Sequence, residues 1–200
     1  MKFKYEPLIT NLMRLVVGLG NPGIKYRRTR HNIGFLILSE LVLRYSGCVA
    51  KSRFHGDFIS TRDKKGEPVF LLCPTTYMNN SGLSVSEAVR FYKIPLEDVL
   101  IVCDDFNLPF AKLRFRGEGS GGGQKGLTNI LQTLGTEKIP RLRFGIGEPP
   151  AKINAADYVL MNFTEKEHPE LMIALREAAD ATQYWIDYGI TEAMNKYNGK

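Results

Sequence analysis

The chain reads as a single-domain α/β protein, a three-layer α/β/α sandwich around a mixed, mostly parallel twisted sheet. Three observations carry this expectation. Short apolar runs alternate with segments whose apolar residues recur every three or four positions, the mark of strands interleaved with amphipathic helices. Asp63-Lys64-Lys65-Gly66, a turn signature between two strand-like runs, makes the sheet mixed rather than purely parallel. A length of 200 residues with 44% hydrophobic content suits one domain with a full core. No internal repeat, low-complexity segment or linker divides it.

In order along the chain, residues 1–12 read as an N-terminal extension, with Met13 serving equally well as a start, and residues 13–200 as the one catalytic domain. The first strand, 14–18, is built on Leu15-Val16-Val17 and feeds a glycine-rich turn. A helix is expected over 32–45, because Ile33, Leu36, Ile37 and Leu41 fall on one face. Strands over 57–61 and 69–73 flank the hairpin turn, and a helix follows over 84–92. The unbroken run Val99-Leu100-Ile101-Val102-Cys103 suits a strand buried on both faces. A strand over 112–116, the glycine-dense loop 117–123, a helix over 124–134 and a strand over 142–146 come next. Helices over 169–188 and 191–197 close the chain.

The net charge of +6 points to a polyanionic partner. The three cysteines, Cys48, Cys73 and Cys103, have no metal-ligand spacing, and an odd number does not suit a disulfide framework. All three read as reduced core residues of a cytoplasmic protein. No apolar run approaches the ~18 residues of a membrane span, and the N-terminus lacks a signal-peptide core.

Gly18-Leu19-Gly20-Asn21-Pro22-Gly23 matches the G-x-G-x-x-G spacing of a dinucleotide site. Its context does not. Pro22 precedes the third glycine, the helical pattern starts only near Asn32, and Arg44 and Tyr45 stand where a ribose-binding acid belongs, about 20 residues on. A nicotinamide-dependent oxidoreductase is thereby weakened, and the glycines shape a loop at a strand's end.

Ligands of open α/β sheets gather at the C-terminal ends of strands, and three such ends carry chemistry here. His31 stands at a helix entry after the first strand and its loop. Asp104 and Asp105 follow the strand 99–103, where a carboxylate can fix an imidazole's tautomer and raise its basicity. Which of the two faces His31 is open in the sequence. Pro74-Thr75-Thr76-Tyr77-Met78-Asn79-Asn80-Ser81-Gly82 follows a third strand and offers amides that can polarise a carbonyl or hold a water. Asn79 or Asn80 could instead cap the next helix.

Period two places Lys112, Arg114 and Arg116 on one strand face. The loop 117–123 then leads through Gln124 and Lys125 into a helix, so exposed amides lie beside cationic side chains. With Lys25, Arg27, Arg28 and Arg30 added, a nucleic-acid backbone is the leading ligand, and Tyr26 and Tyr77 could stack on bases. No metal cluster and no nucleophile elbow is visible. The set points to water-mediated hydrolysis of an RNA-linked substrate.

From Leu15 to about Tyr188 the chain resembles bacterial peptidyl-tRNA hydrolases. The resemblance rests on Val17-Gly18-Leu19-Gly20-Asn21-Pro22-Gly23, Thr29-Arg30-His31-Asn32-Ile33-Gly34, Pro74-Thr75-Thr76-Tyr77-Met78-Asn79, Asp104-Asp105, Gly122-Gly123 with Gly126-Leu127, Arg141-Leu142-Arg143-Phe144-Gly145-Ile146-Gly147 and Asp157-Tyr158-Val159-Leu160. It implies a monomeric esterase without metal or cofactor that frees tRNA from a nascent peptide. His31 would be the general base and Asp104 its orienting partner. Asn79 would bind near the ester, and Asn21 would recognise the peptide's amide backbone. Tyr26 and Tyr77 would line the tRNA-end site, and Arg114 and Arg116 would hold the 5′ phosphate. Gln124-Lys125 departs from the family's usual His-Asn pair, which puts the tRNA-end contacts there in question. Lys125 is donor-only and suits a phosphate or an ester oxyanion. Asn107 stands where an acid is frequent. The alternative is a non-catalytic RNA-binding relative of the same fold.

Overall fold

A computed structural model describes residues 13–199, so the expected extension over residues 1–12 lies outside the described residues. A seven-stranded sheet runs through the molecule in the order β2-β3-β4-β1-β5-β7-β6. Its centre is parallel: β1 (Arg14–Gly18) pairs with β4 (Pro68–Pro74) and β5 (Val99–Asp105), and β5 with β7 (Arg141–Gly145). The edges are antiparallel, with β2 (Lys51–Arg53) and β3 (Gly56–Arg62) on one side and β6 (Leu113–Arg116) on the other.

Alternate side chains of the central strands enter two different cores, which is why these segments read as unbroken apolar runs. Val16, Leu100, Val102 and Phe144 pack on one face against α1 (Ile33–Val42) and α5 (His168–Tyr197), where Trp185 is fully buried. Leu15, Val17, Ile101 and Cys103 pack on the other against α2 (Ser81–Tyr92) and α3 (Lys125–Leu134). The expected three layers are therefore present. The chain leaves β1 towards one face through α1 and leaves β4 towards the other through α2. A crevice opens between them, over the C-terminal ends of the parallel strands.

The glycine-rich turn after β1 works differently from the expectation. Gly18 serves close packing rather than turning: a Cβ there would stand 2.5 Å from the Gly34 carbonyl oxygen. The strand end and the first turn of α1 thus touch backbone to backbone. Within the turn only Gly23 takes a positive φ, at 105°. Two single-turn 3-10 segments, Ile24–Tyr26 and Arg30–Asn32, then carry the chain into α1.

Two elements have no counterpart in the periodicity. All three residues of β2 are exposed, so no alternation marks it, and it joins β3 through Phe54 and His55 at φ 54° and 51° without a glycine. The short α4 (Ala155–Val159) is capped by Asn154, whose side chain accepts the Asp157 N–H. The two expected C-terminal helices are both present, run together in α5 and separated by a kink at Gly189, whose φ of 82° and ψ of −175° are not helical. Of the three cysteines assigned to the core only Cys103 is buried: Cys48 sits half-buried in the loop after α1, and Cys73 is half-buried on β4 against the core, where burial pushes its thiol up to about 12. No helix among the described residues is long and apolar enough to cross a membrane.

Candidate active site

The crevice contains a cavity of about 550 Å³ whose walls include Asn21, His31, Tyr77, Asn79, Asp104 and Lys125. These residues, all singled out in the sequence, are thus brought together, and Asp105 and Gln124 line the same cavity. Tyr26, Arg114 and Arg116 are not on its walls. Tyr26 is half-buried in the 3-10 turn before His31, and both arginines are exposed on the edge strand β6.

The floor of the cavity settles the choice between the two aspartates. His31 Nδ1 lies 2.9 Å from Asp104 Oδ2, with His31 8% and Asp104 3% exposed. A carboxylate accepts, so His31 holds its proton on Nδ1 and turns the lone pair of Nε2 free of that contact. Asp105, the next residue on β5, pairs instead with Arg143, Nε to Oδ2 at 2.8 Å. The backbone and side-chain amides of Asn107 both donate to Asp105 Oδ1, so that side chain folds back onto this second carboxylate.

The strand-end loops are locked to one another by amides. Asn21 N–H donates to Asn32 Oδ1 and Asn32 Nδ2 donates to Asn21 O, each at 2.9 Å. That reciprocal pair fixes the loop beside His31, a role for Asn32 that spacing did not reveal. The side chain of Asn21 in turn accepts the Met78 N–H on Oδ1 at 2.9 Å. Tyr77, the residue before it, holds φ at 59°, a left-handed conformation that a side chain disfavours. The Met78 bond and an Asn80 N–H on Tyr77 O keep it there, with the ring exposed on the cavity wall.

Neither Asn79 nor Asn80 caps α2 through its side chain, and the Gly82 N–H near that helix's start is taken by Asn129 Oδ1 at 2.7 Å. Asn79 instead stands exposed on the cavity wall. Lys125 is the first residue of α3 and also exposed there. Gln124, placed in the sequence among the tRNA-end contacts in question, is turned inward: it is 7% exposed and its Nε2 donates to Asp104 Oδ1 at 3.0 Å. The α4 segment supplies the opposite wall through Ala155, Ala156, Val159 and Leu160, an apolar surface missed in the periodicity.

Behind His31, the Arg30 guanidinium lies between the rings of Tyr158 and Phe163, 4.7 Å from each, and binds Glu167 through both nitrogens. Along β6 the expected alternation holds, with Phe115 buried and Arg114 and Arg116 outward. Cross-strand pairing sets Arg114 opposite Arg143 and Arg116 opposite Arg141. Arg141 is buried and gives its guanidinium to the carbonyls of Gly119 and Glu137, which ties down the glycine-dense loop. Arg143, half-buried beside Arg114, joins the basic face without having been singled out.

Residues 15–200 match the family described as peptidyl-tRNA hydrolase. The chain is 51% identical over 186 residues to the peptidyl-tRNA hydrolase of Rhodopirellula baltica, covering 93% of this chain and 97% of that protein. It is 45% identical to that of Exiguobacterium sibiricum, covering 93% and 100%. The crystal structure of peptidyl-tRNA hydrolase from Acinetobacter baumannii superposes with a TM-score of 0.81 at 34% identity, covering 94% of this chain and 95% of that one. The whole catalytic-looking constellation therefore sits in a chain that belongs to the peptidyl-tRNA hydrolase family.

Proposed function

We propose that this protein hydrolyses the ester joining a peptide to the 3′ ribose of tRNA, with His31 as general base. The observation that carries the chemistry is the 2.9 Å contact between His31 Nδ1 and Asp104 Oδ2 on the cavity floor. His31 Nε2 takes a proton from water, and the resulting hydroxide equivalent adds to the ester carbonyl. Asn79, on the cavity wall, donates to the developing oxyanion. Collapse breaks the bond to the ribose oxygen, which recovers the proton from the imidazolium. The products are tRNA with a free hydroxyl and a peptide carboxylic acid, which gives its proton to solvent to become the carboxylate, so atoms and protons balance. Asp104 stays ionised throughout and stabilises the imidazolium.

Asn21 has its Oδ1 committed to Met78 N–H, so only its Nδ2 can face a ligand, and it can only donate. A donor there suits the carbonyl of the substrate's amide group. An aminoacyl ester without an N-acyl group has no such carbonyl and brings an ammonium instead. Tyr26 and Tyr77 line the approach for the tRNA end, Lys125 meets phosphate or oxyanion charge, and Arg114 with Arg116 holds the terminal 5′ phosphate. The protein acts as a monomer in the cytoplasm. The binding-only alternative is not favoured, because a histidine and a carboxylate buried face to face in a cavity are a base, not a phosphate-binding surface.

The test is hydrolysis of N-acetyl-aminoacyl-tRNA against unblocked aminoacyl-tRNA. Only the blocked substrate is cleaved, and His31→Ala lowers kcat by at least ~10²-fold. Equal rates for the wild type and His31→Ala would remove His31 from the mechanism. Undiminished tRNA binding without turnover by the wild type would restore the binding-only alternative.

A further inference from the structure

We infer that Gln124 is a positioning residue for the reaction, holding the Asp104 carboxylate in the one orientation that lets it serve His31. This rests on the reading of His31 as base, and the experiment below separates the two.

Every hydrogen-bonding group of the Gln124 side chain is committed. Its Oε1 accepts the Leu127 N–H at 2.7 Å, capping α3. Its Nε2 donates to Asp104 Oδ1 at 3.0 Å and lies 3.1 Å from Met78 Sδ. The amide cannot be reversed, because reversal would set an oxygen against the carboxylate and an N–H against the Leu127 N–H. Asp104 therefore receives one donor on each oxygen, Gln124 on Oδ1 and His31 on Oδ2. A buried carboxylate with one oxygen unsatisfied could rotate or draw in water, and the imidazole would lose its fixed partner.

The surroundings reinforce the arrangement. A Cβ on Gly126 would collide with Met78 Sδ and stand 3.1 Å from Gln124 Oε1, so the side chain lies in a slot that only glycine leaves open. The charged and titratable groups around Asp104 are His31 from the 3-10 turn before α1, Asp105 and Cys103 from β5, Arg143 from β7 and Lys125 from α3. Asp105 is paired with Arg143, and the Cys103 thiol is held protonated by burial. Gln124 and His31 are the donors that reach Asp104 through their side chains. As an amide, Gln124 keeps donating at every pH.

The decisive variant is Gln124→Glu. Its carboxyl keeps an oxygen for the Leu127 N–H, so the cap survives, while donation to Asp104 now depends on a proton. Two carboxyl groups this close cannot both ionise readily and share one proton, which leaves as the pH rises. The expected result is a ratio of variant to wild-type kcat that falls by about tenfold between about pH 6 and 9, with little change in KM. Gln124→Ala, which loses donor and cap together, lowers kcat at every pH, and its thermal melt reports the cap separately. A Gln124→Glu ratio that does not change with pH overturns the proposal, as does wild-type kcat in Gln124→Ala. If His31→Ala also retains wild-type turnover, the reading of the base has failed instead; if it is inactive, only the role of Gln124 has.

Discussion

At the level of single residues, Asn21 meets two demands with one amide, and its two ends can be tested apart. The oxygen is structural, since it holds the Met78 N–H behind the strained Tyr77. The nitrogen is the end we assign to substrate. Asn21→Asp keeps an acceptor for Met78 and removes the donor. It should fold as the wild type while losing about 10–100-fold in kcat/KM on N-acetyl-aminoacyl-tRNA, the range for a hydrogen bond lost to a buried group. Asn21→Ala orphans a buried backbone N–H as well and should also melt lower. Retained preference of Asn21→Asp for the blocked ester would take Asn21 out of substrate recognition. Much of this site was legible in the sequence because catalysis at a strand end needs particular residue types in particular loops. Asn21 stands out only through the resemblance, whereas His31, an asparagine after Tyr77 and an aspartate after Cys103 are visible on that ground. The choice of Asp104 over Asp105 was not, because it depends on which face of β5 each side chain takes once the register with β7 is set. The role of Gln124 was not legible for a related reason: the sequence leaves its tRNA-end contacts in question, and only the fold turns it inward.

Between elements, the important joint is the one that ties α4 and the segment after it to the turn carrying His31. Thr29 pairs with Asn162, Arg30 N–H donates to Met161 O at 2.9 Å, and the Arg30 guanidinium is clamped by two rings and Glu167. One wall of the cavity is thereby bolted to its base. Burial works to raise the pKa of Glu167, but the bonds from Arg30 and Thr164 outweigh it and hold the carboxyl below its ordinary value. A carboxyl depressed in the folded state stabilises the protein above its unfolded value, and that contribution is lost as the pH falls through the folded value. Glu167→Gln should therefore lower stability by about 1–3 kcal/mol at neutral pH, with the gap to the wild type closing in acid. Denaturant melts at several pH values measure it, and a gap independent of pH would assign the clamp to ring stacking alone. Long elements with a buried face were readable from period alone. β2 and α4 were not: β2 buries nothing, and α4 is too short for a helical repeat to show.

Across the whole molecule, the net charge of +6 acquires a direction. Period two put Arg114 and Arg116 on one face of their strand, but pairing with β7 was needed to show that two more arginines stand beside them. Those neighbours are not equivalent. Burial lowers the pKa of Arg141, and its guanidinium is spent on the carbonyls of Gly119 and Glu137. Arg143 shares its charge with Asp105. The exposed pair on β6 is thus left to meet a polyanion, while Arg141 holds the loop. If Arg114 and Arg116 each neutralise one phosphate, replacing either with alanine should lower the slope of log affinity against log salt by about 0.7–0.9. Arg141→Met should lower stability and leave that slope unchanged. Assignment to the terminal 5′ phosphate makes a sharper demand. Removing that phosphate from the tRNA should weaken binding to the wild type, yet change little for Arg114→Ala/Arg116→Ala, since the contact it supplied is already gone. Additive losses in that cycle would mean that the arginines meet phosphates elsewhere along the tRNA, and a coupling of about 1 kcal/mol or more would place the 5′ end on β6.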